Sequence, residues 1–123
     1  MLKVWGRHSA ANVQKVMWLI GELGIDHEHI PCGGVHGGLD HPAFLALNPN
    51  GLVPVIDDDG AVVWESHAIL RYLAARYGAD RFWSDDPYSR SLFDRWLVPI
   101  SRGLDPVTRT LFGQSVLAIG RKP

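Results

Sequence analysis

Two adjacent residues, Glu65 and Ser66, have the chemistry to hold both charged ends of an amino acid. Ser66 stands where a predicted helix begins, and free backbone N–H groups there carry the equivalent of roughly half a positive charge. A ligand carboxylate would be held by those groups and the Ser66 hydroxyl, while the Glu65 carboxylate could receive the ligand's ammonium group. An ordinary helix cap with an acidic neighbour is the simpler alternative, and the segment upstream argues against it.

That upstream segment contains Val53–Pro54 at the entry to a predicted strand. A proline there has no N–H to donate, which suits a strand entry or an edge. A cis Val53–Pro54 bond would turn the N–H and C=O of Val53 outward, where an extended peptide could pair with them as an added strand. A trans bond at a plain strand start is the alternative for an isolated X–Pro pair.

A third candidate group lies before the first predicted helix, where Ser9 and Asn12 offer a hydroxyl and an amide. Such donors at a helix N-terminus favour a thiolate over a thiol, whose free pKa is about 8.5. The loop has no cysteine of its own, so the thiol would come from a bound ligand. Cys32 lies past the second predicted strand, and we interpret it as structural or incidental.

The other polar groups do not indicate a metal site. The six histidines show no pairing with Cys, Asp or Glu at metal-ligand spacing. Three consecutive carboxylates, Asp57–Asp59, could suggest calcium, but no further ligand follows at loop spacing, and we expect a solvated hairpin turn.

The elements that position these groups follow from the hydrophobic pattern. The pattern predicts strands at Leu2–Trp5, Ile25–Pro31, Val53–Ile56 and Val62–Trp64, and helices at Asn12–Leu23, Asp40–Leu47 and Ser66–Tyr77. Asn12 and Gly24 are the expected ends of the first helix. The order is βαβ followed by αββα, which predicts an α/β fold of the thioredoxin-like class over residues 1–78. In this fold context the cis form of the Val53–Pro54 bond is favoured.

Composition narrows the class of partner. The chain has 123 residues and a net charge of -1, with no basic run, so neither nucleic acid nor a membrane surface is expected as a partner. No stretch is long and apolar enough for a signal peptide or a membrane span. With one cysteine there is no internal disulfide, and we expect a cytoplasmic protein.

Residues 1–78 resemble the N-terminal domain of bacterial glutathione S-transferases. The resemblance lies in GRHSAANVQKVMWLIGELG, ALNPNGLVPVIDDDG and VVWESHAILRYLAARYG, and its specific parts are Val53–Pro54 and Glu65–Ser66. It implies a transferase that joins glutathione, as co-substrate, to a small electrophile. Glutathione would place its γ-glutamyl end on Glu65 and Ser66, pair its cysteinyl backbone with Val53, and bring its thiolate near Ser9 and Asn12.

Two residues depart from the family's pattern. Many relatives have a serine or threonine two residues before the asparagine, where this chain has Ala10, so Asn12 is favoured over Ser9 as the group that meets the thiol. Leu52 falls in the expected glutathione site at a position where some relatives have a lysine, and one carboxylate anchor is therefore expected to be missing.

For the remainder of the chain, the sequence predicts a linker at residues 79–88 and the beginning of an all-helical domain at residues 89–123. We expect this second domain to be truncated. The apolar stretch Val107–Ile119 needs a partner surface, so we expect a homodimer. Two other functions stay open: a glutathione-binding or protein-interaction module without turnover, and a glutathione-dependent disulfide reductase.

Overall fold

The computed structural model describes residues 1–78 and 81–100; within its last helix, the side chains described are those of residues 87–92, 94 and 95. The elements follow the order β1 (Leu2–Trp5), α1 (Ala11–Leu23), β2 (His27–Ile30), α2 (Pro42–Leu47), β3 (Val55–Asp58), β4 (Ala61–Trp64), α3 (Ser66–Tyr77) and α4 (Pro87–Ile100). This succession confirms the predicted thioredoxin-like fold.

The strands form one sheet in the order β2-β1-β3-β4. β1 is parallel to β2, whereas β3 runs antiparallel to both β1 and β4. The parallel strands β1 and β2 are connected through α1, and the antiparallel strands β3 and β4 are connected by a tight hairpin, as parallel and antiparallel pairs require.

The core lies on both faces of the sheet because successive strand residues point to opposite sides. Leu2, Val4 and Ile56 face α1 and α3, where they belong to the larger cluster of buried apolar side chains. Val55 faces the other way and packs with Phe44 of α2. The sheet is therefore covered by two helices on one face and one on the other.

The first helix begins at Ala11, one residue earlier than predicted, and its N-cap lies two residues earlier than expected. The N-cap position is occupied by Ala10, with no capping side-chain hydrogen bond, so the expected cap at Asn12 was wrong. Asn12 instead lies in the first turn with its side chain exposed. The predicted end is confirmed: Gly24 adopts the left-handed conformation with φ 65°, which only glycine enters without steric cost.

The third strand lies two residues later than predicted. It pairs from Val55, so Pro54 precedes the strand instead of opening it. At its other end Asp57 and Asp58 belong to the strand, and only Asp59 and Gly60 form the turn. The expectation of a solvated Asp57–Asp59 turn was wrong for Asp58, which is buried because Tyr72 and Tyr77 donate hydrogen bonds to its carboxylate.

The segment expected as a linker is packed against the domain where the structure describes it. Phe82 is buried in the larger core cluster and meets the Trp18 ring edge-on, with ring centroids 6.4 Å apart. α4 begins at Pro87, inside the expected linker, and Arg71 of α3 donates to Asp94 of α4 at 2.6 Å. The stretch 107–119 lies outside the described residues.

Among the helices that the structure describes, none is long and apolar enough to cross a bilayer.

Candidate functional site

The three predicted groups meet at one end of the sheet. Val55, the first residue of β3, is paired with Trp5, the last residue of β1, and also with Trp64, the last residue of β4. Pro54 precedes Val55, Glu65 follows Trp64, and the loop to Ser9 follows Trp5. Since neighbouring strands lie about 4.8 Å apart, the three connections leave the sheet side by side.

The start of α3 has the geometry of an anion site. Its first intrahelical hydrogen bond runs from the Ile69 N–H to the Glu65 carbonyl at 2.9 Å, which leaves the N–H groups of Ser66, His67 and Ala68 without a helical acceptor. Ser66 is buried, and its hydroxyl makes no hydrogen bond to another described residue. These groups can hold a carboxylate.

Glu65, and not Ser66, occupies the N-cap position of α3, which corrects the expected cap. Its backbone has φ 75°, a region that residues other than glycine rarely adopt. Strained conformations of this kind concentrate at functional sites, where the surrounding structure enforces them. Here the strain lets the chain turn from β4 into α3 while the Glu65 side chain stays exposed.

The proline element has the expected geometry. The Val53–Pro54 peptide bond is cis, as predicted. Val53 is half-buried, and neither of its backbone groups takes part in a hydrogen bond with another described residue. Its neighbour Leu52 is a large apolar side chain that is 62% exposed, so it offers apolar surface where a cation would have anchored a carboxylate.

The start of α1 supplies the third group. The first hydrogen bond of this helix runs from the Gln14 N–H to the Ala10 carbonyl at 2.9 Å, so the N–H groups of residues 11–13 are free of helical acceptors. Ser9 and Asn12 are both exposed on either side of that helix start. The partial positive charge of the helix start favours an anion such as a thiolate there.

One residue of the site was not predicted. Lys15 is only 3% exposed, although lysine is almost never fully buried without a partner. It lies one turn after Asn12 on the same face of α1, and its charge interacts with Glu65 at the start of α3. Since Leu19 belongs to the same buried cluster as Ile69 of α3, this face of α1 is directed toward α3. The sequence did contain a signal for this burial, because Lys15 lies within the apolar stripe of α1 that includes Leu19.

The remaining candidates lie elsewhere. Cys32 is buried beside Phe44 and Val55, and burial raises the pKa of its thiol, which disfavours the thiolate. No group of three or more His, Cys, Asp or Glu side chains that could hold a metal ion occurs among the described residues. A depression of about 320 Å³ lies on the opposite face of α1 from Asn12, lined by His8, Gln14, Met17 and Trp18.

Comparison with known proteins identifies a family. The family described as "Glutathione S-transferase, N-terminal domain" matches residues 11–76, which run from the start of α1 almost to the end of α3. The chain belongs to this family. The match covers the cis-proline segment and the start of α3.

Individual relatives give the same result. Glutathione S-transferase GstB of Escherichia coli K12 is 46% identical over 100 residues, which cover 79% of this chain and 48% of that protein. Glutathione S-transferase 3 of Zea mays is 39% identical over 79 residues, covering 64% of this chain and 36% of the maize protein.

A solved structure extends the likeness to three dimensions. The theta class glutathione S-transferase of Xanthomonas axonopodis pv. citri, determined with glutathione bound, is 45% identical with a TM-score of 0.73. The match covers 79% of this chain and 46% of that one. The matches therefore span between 36% and 48% of the length of these three relatives.

Proposed function

We propose that this chain is the glutathione-binding part of a glutathione transferase that conjugates glutathione to small electrophiles. The observation that carries the proposal is the convergence of Glu65–Ser66, Val53–Pro54 and the start of α1 at one end of the sheet. The likeness to a transferase with glutathione bound supports the same ligand.

The γ-glutamyl end and the cysteinyl backbone of glutathione each have a matching group. The γ-glutamyl carboxylate would sit on the Ser66 hydroxyl and the free N–H groups of α3, with its ammonium on Glu65. The cysteinyl backbone would pair with the free N–H and C=O of Val53, as an added strand pairs with a sheet edge. Leu52 would border the glycyl end without supplying a charge.

The thiol would then lie at the start of α1. Its proton leaves to solvent, and Asn12 and the free N–H groups of the helix stabilise the thiolate. The thiolate sulfur attacks the electrophilic carbon, the new C–S bond forms, and the leaving group departs with its electron pair. The protein's contribution is to orient the sulfur and to stabilise its negative charge.

A conjugation assay with glutathione and a generic aryl halide tests the activity. We expect turnover by the wild-type chain, and a loss of about 10–100-fold in kcat for Asn12→Ala, because one donor to the developing anion is removed. The pH at which the rate is half-maximal should rise in this variant, since its thiolate is less stabilised. Ser9→Ala is the matched comparison and should change both quantities less.

Glutathione binding without any product would instead assign the chain to a non-catalytic binding module. A small disulfide substrate in the same assay distinguishes the reductase, which would consume two glutathione molecules per disulfide.

We also propose a cytoplasmic homodimer. The cytoplasmic location is supported by the single cysteine, which is buried and unpaired. Self-association is supported by the large exposed apolar side chains of Val62, Trp64 and Tyr88. Sedimentation equilibrium should give twice the mass of the 13.7 kDa chain.

A further inference from the structure

Arg7 is a cation at the edge of the proposed site that no carboxylate of the described chain neutralises. It lies in the turn after β1, two residues beyond Trp5, and its side chain is half-buried. No hydrogen bond or ion pair joins its guanidinium to another described residue. The N–H donors of the guanidinium are therefore available to a ligand.

The side chain of Arg7 is held against the loop that follows β2. A Cβ at Gly34 would lie 2.8 Å from the Arg7 Cδ, and a Cβ at Gly33 would lie 3.2 Å from Nη1. The loop is closed by a hydrogen bond of 2.7 Å from the Gly33 N–H to the Gly37 carbonyl. The two glycines thus leave the space that Arg7 occupies, and packing against this loop directs the guanidinium toward the β2 side of the site.

The order of the strands places Arg7 where the third residue of glutathione is expected. From one side of the sheet to the other the strands are β4, β3, β1 and β2. The proposed site holds the γ-glutamyl end after β4 and the cysteinyl backbone before β3, so the next strand is β1, which Arg7 follows. Strands lie about 4.8 Å apart, and an extended tripeptide of about 10 Å therefore reaches from β4 to β1.

A continuous surface connects Val53 with the loop under Arg7. Val53 and Leu39 both pack against the buried cluster on the α2 face of the sheet. A Cβ at Gly51 would lie 3.3 Å from the Leu39 carbonyl oxygen, and one at Gly33 would lie 3.5 Å from a Leu39 methyl carbon. Leu39 thus bridges the segment before the cis proline and the loop after β2, so a ligand that extends beyond Val53 meets Arg7 without crossing a gap.

We propose that Arg7 binds the glycyl carboxylate of glutathione and so supplies the cation that is missing at Leu52. The inference rests on the proposed glutathione site. A guanidinium can meet a carboxylate with two parallel N–H···O hydrogen bonds, which fix the orientation of the ligand as well as its charge. Arg7 is thereby a specificity-determining residue that favours a free carboxylate at the third residue of the thiol peptide.

Titration calorimetry of glutathione and of its glycinamide analogue, in which a neutral amide replaces the glycyl carboxylate, tests this contact. The wild-type chain should bind glutathione about 10–100-fold more tightly than the amide, because the amide lacks the charge-assisted hydrogen bonds. Arg7→Met keeps an apolar stem against the loop but removes the cation, so its two affinities should agree within about threefold. His36→Gln, an exposed position in the same loop, should keep the wild-type preference.

The preference between the two ligands separates a binding role from a structural one. A change that only disturbed the loop would weaken both ligands equally, so a preference that persists in a folded Arg7→Met would overturn the assignment. Loss of the preference in His36→Gln would overturn it as well. Equal binding of the two ligands by wild type would do the same without any variant and would leave the glutathione site in place. Absence of binding of either ligand by the folded wild-type chain would overturn both the proposed function and this inference.

Discussion

Asp58→Ala should destabilise the domain by about 2–4 kcal/mol, because it removes the acceptor on which three side chains of α3 converge. Tyr72 donates to the Asp58 carboxylate at 2.7 Å and Tyr77 at 2.8 Å, while the Arg76 Nε lies 3.2 Å from it. Without the carboxylate, the partly buried tyrosine hydroxyls lose their acceptor. Chemical denaturation with circular dichroism measures the loss.

The neighbouring Asp59→Asn is the matched control, because asparagine tolerates the left-handed backbone of Asp59, which has φ 52°. Asp59 pairs with the exposed N-terminal amine at 2.7 Å, and exposed pairs contribute little. Its variant should lie within about 0.5 kcal/mol of wild type. Equal losses in the two variants would contradict the buried role of Asp58.

The same carboxylate predicts a pH dependence of stability. Burial alone would raise the pKa of Asp58, but the hydrogen bonds from Tyr72 and Tyr77 and the charge of Arg76 outweigh it, and the pKa is lowered. The folded protein therefore binds this proton less readily than the unfolded chain. Its contribution to stability is present above about pH 4 and is lost as the pH falls further. Asp58→Asn should flatten that part of the curve.

Gly6→Ala should have a comparable effect, at about 2–4 kcal/mol. A Cβ at this position would lie 2.4 Å from a methyl carbon of Val13, which is fully buried, and the Gly6 backbone has φ 152°. Either Val13 leaves its place in the core or the turn between β1 and α1 shifts. Because that turn carries Ser9 and leads to Asn12, the variant should also lose glutathione affinity.

Gly21→Ala is the control for Gly6→Ala. Gly21 lies within α1, and a Cβ there meets nothing within 4 Å. Alanine is a better helix former by about 1 kcal/mol, so this variant should be as stable as wild type or more stable. A Gly6→Ala protein with wild-type stability would show that the turn is less constrained than its contacts indicate.

The sequence predicted what depends on local patterns. Hydrophobic periodicity gave the order of elements, Gly24 marked the end of α1, and the thioredoxin-like context favoured the cis Val53–Pro54 bond. Each element and the end of α1 are encoded within neighbouring residues, and the cis bond was favoured by the order of those elements, so one sequence is enough to recognise them.

What the sequence did not predict depends on distant partners. Asp58 is buried because of tyrosines 14 and 19 residues further along the chain, and no local pattern distinguishes it from the exposed Asp59. The burial of Lys15 depends on the packing of α1 against the rest of the domain, and the strained φ of Glu65 arises where β4 turns into α3. The roles of Ser9, Asn12, Leu52, Val53, Pro54, Glu65 and Ser66 toward a ligand stay predictions.

Calorimetric titration of glutathione into the 123-residue chain, with Ser66→Ala beside it, tests the central claim most directly. We predict saturable binding that Ser66→Ala weakens about tenfold, since the hydroxyl beside the free N–H groups of α3 is lost. Ser91→Ala, on the exposed surface of α4, should bind as wild type does. No binding by a folded wild-type sample, or equal binding by Ser66→Ala, would contradict the assignment of the start of α3 as the glutathione site.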